Sequence, residues 1–191
     1  MGWLHEPPGR SRGSWHPGPR GGGWPVSAMH VVVMGVAGCG KSAVGGRVAG
    51  ALGLPLVEGD EFHPATNIEK MRRALPLDDA DRGGWLDLLA AELARRPGGA
   101  VLTCSALKRS YRDILRAAVP DLHFVHLALS EHQAMERVAA RTDHFYPPSL
   151  VASQFEALED PGGEPGVLGV DASLPLDAVV AQALAWLRAP T

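Results

Sequence analysis

Short apolar runs alternate along the chain with segments in which apolar residues recur at helical spacing. The run at residues 30–34 is rich in valine and is followed by a glycine-rich turn. In residues 79–95, the apolar positions Trp85, Leu86 and Leu89 fall on one face of a helix. Continuous apolar strands that alternate with helices are typical of a parallel sheet covered on both faces. The pattern predicts an α/β fold of three layers, α/β/α, with a central parallel sheet of about five strands.

The boundaries of the elements follow from turn residues and from changes of period. The predicted strands cover residues 30–34, 54–57, 99–104, 122–129 and 167–170. The first predicted helix ends near residue 52, and the others cover residues 64–75, 79–95, 109–119, 131–141, 150–158 and 176–188. Pro64 is expected at the first position of its helix, where its missing N–H costs nothing.

Residues 1–28 differ in composition from the rest of the chain. They contain seven glycines and five prolines, and three tryptophans without periodic apolar partners. Such a segment resists regular structure, so we predict a disordered tail at 1–28 and one domain at 29–191. An interaction arm of Trp and Arg residues is the alternative. The tail has no continuous apolar segment of the kind that a signal peptide needs.

Composition and charge narrow the possible functions. The chain has 191 residues and a net charge of −3, which argues against a nucleic-acid binder that works by bulk charge. No apolar run approaches the roughly 20 residues needed to cross a bilayer. The two cysteines, Cys39 and Cys104, are too few for a disulfide framework and favour a reducing, cytoplasmic compartment.

The turn after the first strand matches the pattern G-x-x-x-x-G-K-[ST] at every fixed position. Such a loop curls so that backbone N–H groups converge on phosphate oxygens, and the following helix adds its positive end. Lys41 then places a charge on the β- and γ-phosphates of a nucleotide, and Ser42 offers a hydroxyl to Mg²⁺. The predicted nucleotide-binding residues are Gly35, Val36, Ala37, Gly38, Cys39, Gly40, Lys41, Ser42 and Ala43.

The second predicted strand ends in the acidic sequence EGDEFH, residues 58–63. Ligands bind at the carboxyl ends of strands in an open parallel sheet, so carboxylates here face the phosphates. A hydroxyl kinase needs a base near the acceptor oxygen and a second acid to organise metal-bound water. Asp60 and Glu58 have the spacing for these two roles, and Glu58 joins Ser42 as a candidate metal residue. The alternative is a solvated acidic turn.

Several segments together resemble the bacterial gluconate kinases, small P-loop kinases related to shikimate kinase. The resemblance runs from about residue 29 to residue 188. The most specific segments are HPATNIEKM and CSALKRSYRD, supported by PLDDADR and SQF. The resemblance implies a P-loop kinase fold with a mobile lid at about 137–160, and a homodimer. It also implies ATP-dependent phosphorylation of D-gluconate at its 6-hydroxyl.

The resemblance also implies roles for individual residues. Asp60 would orient the acceptor and act as the base, and Arg82 would anchor the sugar-acid carboxylate. Arg141 would join Lys41 as a catalytic cation, and Arg137 would bind the nucleotide from the lid. His63 and Lys108 would contact the polyol. The predicted substrate-binding residues are therefore Asp60, His63, Arg82 and Lys108.

Simpler interpretations of these residues remain open. His63 is also placed to cap the helix that begins at Pro64. Asn67 and Lys70 would then only brace that same helix, and Lys108 stands where a solvated helix-start residue would. Arg137 and Arg141 would then be surface arginines beside a turn. At the level of function, the alternatives are another small P-loop kinase, for shikimate or a nucleoside monophosphate, or a non-catalytic nucleotide-binding module.

The chain departs from the family pattern at four positions. Glu58 stands where Asp is usual, Ala43 where Thr is common, Cys39 where Ser is usual and Ala74 where Gly is common. None of these changes deletes an indispensable group. Because Cys39 lies near Lys41 and a helix N-terminus, we expect a lowered thiol pKa and a reaction with iodoacetamide that MgATP slows.

Overall fold

The computed structural model describes residues 29–140, 147 and 149–189. Five parallel strands form one sheet in the order β2-β3-β1-β4-β5. The strands are β1 (Met29–Met34), β2 (Leu56–Glu58), β3 (Gly99–Cys104), β4 (His123–Ala128) and β5 (Val167–Asp171). The predicted number of strands and their parallel direction are confirmed.

Seven α-helices surround the sheet in the described part of the chain. They are α1 (Lys41–Leu52), α2 (Ala65–Arg72), α3 (Asp79–Ala94), α4 (Arg109–Ala118), α5 (Glu131–Ala139), α6 (Ser149–Ala157) and α7 (Leu176–Leu187). Residues of α1, α5, α6 and α7 pack into one core, and residues of α3 and α4 pack into a second. The sheet therefore lies between two helical layers, as the alternating pattern predicts.

The central strands β1 and β3 supply residues to both cores. Val31 and Val33 of β1 belong to the first core, whereas Val32 and Met34 belong to the second. Successive side chains of a strand point to opposite faces, so a strand buried on both faces is a continuous apolar run. Each such fully buried side chain contributes about 1.5–3 kcal/mol of transfer free energy.

Most predicted elements agree with the structure to within one or two residues, but the segment around the second strand differs. Strand β2 begins two residues late, at Leu56, and a short 3₁₀ helix, Gly59–Phe62, follows it without a predicted counterpart. Pro64 is the N-cap of α2 rather than its first residue. The end of α2 comes at Arg72, because Ala74 adopts a left-handed backbone with φ 57°.

A buried ion-pair cluster joins α4 to the loop that precedes β5. The Arg112 side chain is 0% exposed and forms a bidentate pair with Glu164, at 2.5 Å from Nη2 to Oε1 and 3.1 Å from Nε to Oε2. Arg116 donates to the same carboxylate at 2.8 Å. The hydrogen bond from Arg112 is the largest influence on Glu164 and lowers its pKa to about 2. The cluster fixes the loop at residues 158–166 against the body of the domain.

The predicted tail at 1–28, together with residues 141–146, 148, 190 and 191, lies outside the described residues. Within the described ranges, no helix has both the length and the hydropathy needed to span a bilayer.

Candidate active site

A cavity of about 700 Å³ opens at the carboxyl ends of β1, β2 and β3. Strand β3 lies between β1 and β2, so the loops that follow the two outer strands are roughly 10 Å apart. The structure brings nine of the predicted site residues to the walls of this cavity. They are Ala37, Gly38, Gly40, Lys41, Ser42, Ala43, Asp60, His63 and Arg82.

The phosphate loop follows β1 directly and ends in the first turn of α1. Gly38 and Gly40 have φ of 83° and 96°, which side chains rarely tolerate. The amides of residues 41–43 donate to no carbonyl of the described chain, so they are available to phosphate oxygens. The Lys41 Nζ donates to the carbonyls of Gly35 and Val36, each at 3.1 Å, which holds the ammonium across the loop.

Cys39 and Val36 differ from their loop neighbours because their side chains point into the core. The Cys39 side chain is 3% exposed and belongs to the first hydrophobic core. A Cβ added to Gly35 would lie 2.9 Å from its Sγ, so the loop packs closely around the sulfur. This burial argues against the reactive thiol expected from the sequence, since attack on iodoacetamide needs access. Cys104 is also buried, and burial raises its pKa to about 12.

The two candidate metal residues are in direct contact. The Ser42 hydroxyl donates to Glu58 Oε2 at 3.0 Å, and the Thr103 hydroxyl donates to the same oxygen at 2.5 Å. Thr103 is the register partner of Glu58 on the neighbouring strand, and its hydroxyl accepts from the Gly59 amide at 3.4 Å. Thr103 thus holds Glu58 in position, a role that sequence reasoning missed because it depends on strand order.

The turn that carries Asp60 is fixed by close packing beneath it. A Cβ on Gly59 would lie 2.2 Å from the carbonyl oxygen of Thr103, so only glycine fits there. The indole of Trp85 donates to the Gly59 carbonyl at 2.8 Å. Asp60 lines the cavity, and no described side chain donates a hydrogen bond to its carboxylate. The carboxylate is therefore available to an acceptor hydroxyl.

His63 stacks on Trp85, with ring centroids 4.2 Å apart and planes inclined by 15°. Asn67 Nδ2 donates to the backbone carbonyl of Asp81 at 2.8 Å, which fixes the orientation of that amide. The same Nδ2 lies 3.5 Å from His63 Nδ1, so Nδ1 is the acceptor and Nε2 carries the proton. Burial is the main cause that lowers the His63 pKa to about 4. His63 is therefore a neutral N–H donor at the cavity wall, and it does not cap α2.

Asn67 and Lys70 brace the start of α3, whereas the simpler interpretation had them brace only their own helix, α2. Lys70 pairs with Asp81 at 2.6 Å, and Asp78 and Asp81 form a reciprocal capping box at the helix N-terminus. Ion pairing with Lys70 and the capping contacts lower the Asp81 pKa. This brace fixes the first turn of α3, which carries Arg82.

Arg82 is buried, lines the cavity and lies 6.0 Å from the centre of the Tyr111 ring. Within the described chain no side chain or carbonyl accepts a hydrogen bond from its guanidinium. The paired N–H groups of this planar group are therefore available for a carboxylate. Lys108 is placed differently. It occupies the N-cap position of α4 without a side-chain capping bond, pairs with Asp79 at 2.6 Å and does not line the cavity. Its role as a polyol contact stays a prediction, and the observed role is to hold the start of α4 to α3.

The described parts of the predicted lid pack against the phosphate loop. Val138 of α5 and Gln154 of α6 line the cavity. Gln154 Oε1 accepts from the Ala37 amide at 2.6 Å, a contact that the sequence did not signal. Arg137 donates to the Ala172 carbonyl at 2.9 Å, beside the end of β5. Arg141 lies outside the described residues. The mobility of the lid and the roles of both arginines stay predictions.

Comparison with known proteins defines the class first. A family model described as an AAA domain matches residues 31–160. That span contains the phosphate loop, the acidic turn after β2 and the buried Arg82. The sheet order and the shared cavity agree with a P-loop phosphotransferase that acts on a small acceptor.

More specific relatives identify the family. A gluconokinase of Gluconobacter oxydans is 43% identical over 162 residues, which cover 83% of this chain and 91% of the relative. The thermoresistant gluconokinase of Escherichia coli is 43% identical and covers 82% and 92% of the two chains. The crystal structure of a gluconokinase from Sinorhizobium meliloti superposes with a TM-score of 0.78 at 49% identity, covering 84% and 92%. This chain belongs to the gluconokinase family.

Proposed function

We propose that this protein transfers the γ-phosphoryl group of ATP to the 6-hydroxyl of D-gluconate, giving 6-phospho-D-gluconate and ADP. The observation that carries the proposal is the shared cavity. One wall is the phosphate loop. The opposite wall, the acceptor wall, presents the carboxylate of Asp60 and the buried Arg82, whose guanidinium has no described hydrogen-bond acceptor. A nucleotide-binding module that does not catalyse would not need this acceptor wall.

Different residues of the cavity perform different parts of the reaction. Lys41 and the first-turn amides of α1 hold the phosphates and offset the charge that develops during transfer. Asp60 orients the 6-hydroxyl and accepts its proton as the oxygen attacks the γ-phosphorus, and the β–γ bridging oxygen leaves with ADP. His63 donates from Nε2 to a hydroxyl of the polyol. Its low pKa keeps it neutral at physiological pH, so this donor does not switch with pH.

The residues around Ser42 fit a magnesium ion. Mg²⁺ takes oxygen ligands and usually combines one or two protein oxygens with substrate phosphates and water. Ser42 donates its proton to Glu58, which leaves the lone pairs of the hydroxyl available to the ion. Glu58 would hold a metal-bound water, and Thr103 would fix its carboxylate. When bound, Mg²⁺ neutralises charge on the β- and γ-phosphates.

Arg82 explains a preference for a sugar acid over an aldose. A planar guanidinium pairs with a carboxylate through two parallel hydrogen bonds. Glucose has no carboxylate, so it would leave the buried Arg82 without a partner. A site built around such a polar contact rejects the analogue that lacks it.

An assay of ADP release tests this proposal. The purified protein is supplied with ATP, Mg²⁺ and one acceptor at a time: D-gluconate, glucose, shikimate, glycerate or a nucleoside monophosphate. The expected result is a kcat/KM for gluconate at least about 100-fold above that for glucose, from the loss of one charge-assisted pair. Equal values for gluconate and glucose, or a higher value for shikimate or a nucleotide, would contradict the proposal.

We further propose a cytoplasmic enzyme that works as a homodimer. The two buried cysteines suit a reducing compartment. The homodimer is supported by the resemblance to the gluconate kinases. Light scattering after gel filtration tests it, and a mass of one chain would contradict it.

A further inference from the structure

Gln154 makes a contact across the cavity that the proposed mechanism does not use. It lies in α6, is 7% exposed and lines the cavity. Its Oε1 accepts from the amide of Ala37 at 2.6 Å, although the two residues are 117 positions apart. Ala37 is the second variable position of the phosphate loop. The contact therefore connects α6 to the phosphate loop.

The hydrogen bond to Ala37 also fixes which end of the side-chain amide faces the cavity. The Ala37 amide is a donor, so the Gln154 atom that meets it is the oxygen. The NH₂ group then points the other way, and no described group accepts from Nε2. Gln154 lines the cavity, and because its Oε1 is held by Ala37, Nε2 is the polar atom of the side chain that is left to face the cavity.

We infer that Gln154 donates from Nε2 to an oxygen of the γ-phosphoryl group. The Ala37 N–H is occupied by Oε1 and is not free for phosphate. The side-chain amide replaces that backbone donor with one that reaches further into the cavity, between the phosphate loop and the acceptor wall. The inference rests on the proposed function, because it needs a nucleoside triphosphate as the donor substrate.

The affinities for two nucleotides separate donation from simple support of the loop. Gln154→Met keeps the length of the side chain and removes both hydrogen bonds. Gln154→Leu also removes them without adding a charge beside the phosphates. If Gln154 only supports the loop, the variants lose affinity for ADP and for an ATP analogue alike. If it donates to the γ-phosphoryl group, they lose affinity chiefly for the ATP analogue. Glu156→Gln is the matched control, because Glu156 is exposed on the same helix.

Titration calorimetry tests the inference. It measures the affinities for ADP and for the non-hydrolysable imido analogue of ATP. A donor to the γ-phosphoryl group gives about a tenfold or greater loss of analogue affinity in Gln154→Met, the loss expected for a hydrogen bond to a charged group. ADP affinity changes less than about threefold in that variant, because ADP lacks the group. Both affinities stay at the wild-type value in Glu156→Gln. The urea midpoint of each variant shows whether it is folded.

An unchanged ratio of analogue to ADP affinity in Gln154→Met would overturn the inference, whether the two affinities fall together or stay constant. If Gln154→Met does not fold, the same ratio measured in Gln154→Leu decides, and a wild-type ratio there overturns the inference. Because the readout is nucleotide binding, it does not depend on the acceptor. Failure of the wild-type protein to phosphorylate gluconate would therefore refute the proposed function and leave this measurement intact.

Discussion

Replacement of Glu164 by glutamine tests how the domain holds the loop before β5. The variant keeps the size of the side chain and one acceptor oxygen, but it removes the charge that balances Arg112 and Arg116. Arg112 is fully buried and keeps its hydrogen bonds to the carbonyls of Ala106 and Leu107. Its charge would then lie in the interior without a counter-ion. Breaking a buried pair in this way is strongly destabilising.

The magnitude follows from the pKa of Glu164. The drop from 4.5 in the unfolded chain to about 2 in the fold corresponds to roughly 3 kcal/mol in favour of the folded carboxylate. Solvent reaches the rim of the cluster, and screening there reduces the contribution to roughly 2 kcal/mol. For a domain of this length, that loss lowers the Tm by roughly 4–8 °C.

Urea unfolding followed by circular dichroism measures the difference between the wild type and Glu164→Gln. At about pH 7 the variant should be less stable by roughly 2 kcal/mol, with an unchanged m-value. The stabilisation from the carboxylate is fully present above the unfolded pKa of 4.5 and is lost as the pH falls from there towards about 2. The difference in stability between the two proteins should therefore decrease from about pH 5 down to about pH 2.

Asp113→Asn is the matched control for this experiment. Asp113 pairs with the same Arg116, at 2.9 Å, but its side chain is 55% exposed. An exposed pair of this kind contributes less than about 1 kcal/mol, so the control should stay close to the wild type at all pH values. A Glu164→Gln protein as stable as Asp113→Asn at pH 7, or a gap that does not change with pH, would refute the reasoning.

The remaining predictions concern the site, one strained position and the tail. Asp60→Asn should lower kcat by about 10² or more and spare ATP binding, because the amide cannot accept the proton; a near-wild-type kcat would exclude Asp60 as the base. Arg82→Gln should raise the KM for gluconate by about tenfold or more and spare the Kd for ADP, as equilibrium dialysis would show, since only the carboxylate contact is lost. Ala74→Gly should stabilise the domain by up to about 1 kcal/mol, because Ala74 has a left-handed backbone that costs an alanine about 1–2 kcal/mol; a lower urea midpoint would contradict this. Removal of residues 1–28 should leave Tm and kcat unchanged, and a large drop in either would assign the tail to the enzyme.

Local patterns predicted the elements of the fold well, and they predicted the phosphate loop best. The valine run of β1, the glycines of the loop and the helical spacing of apolar residues in α3 each act within a few positions. Such interactions are encoded in short segments, so a sequence carries them directly. The exception is the turn after β2, where the 3₁₀ helix at Gly59–Phe62 depends on the contact of Gly59 with Thr103 in another strand.

The contacts that complete the site join residues that are distant in sequence, which is why they were not predicted. Thr103 reaches Glu58 because β3 lies beside β2, and Gln154 reaches the loop because α6 packs over it. The orientation of single side chains could not be predicted from the sequence either. The sequence places Cys39 beside Lys41, but the curl of the loop turns the Cys39 side chain into the core. Strand register and helix packing determine such contacts, and a short segment of sequence shows neither of them.

The stack of His63 on Trp85 gives the acceptor wall an intrinsic fluorophore. Trp85 is 1% exposed, and its indole is separated from the cavity by one imidazole ring. A ligand that hydrogen-bonds to His63 changes the electric field at the indole, so its emission should report acceptor binding without a label. Once residues 1–28 are removed, Trp186 is the one other tryptophan, and it packs against His123 beyond the opposite end of the sheet. Stopped-flow measurement of Trp85 emission would then follow the binding of the sugar acid separately from phosphoryl transfer.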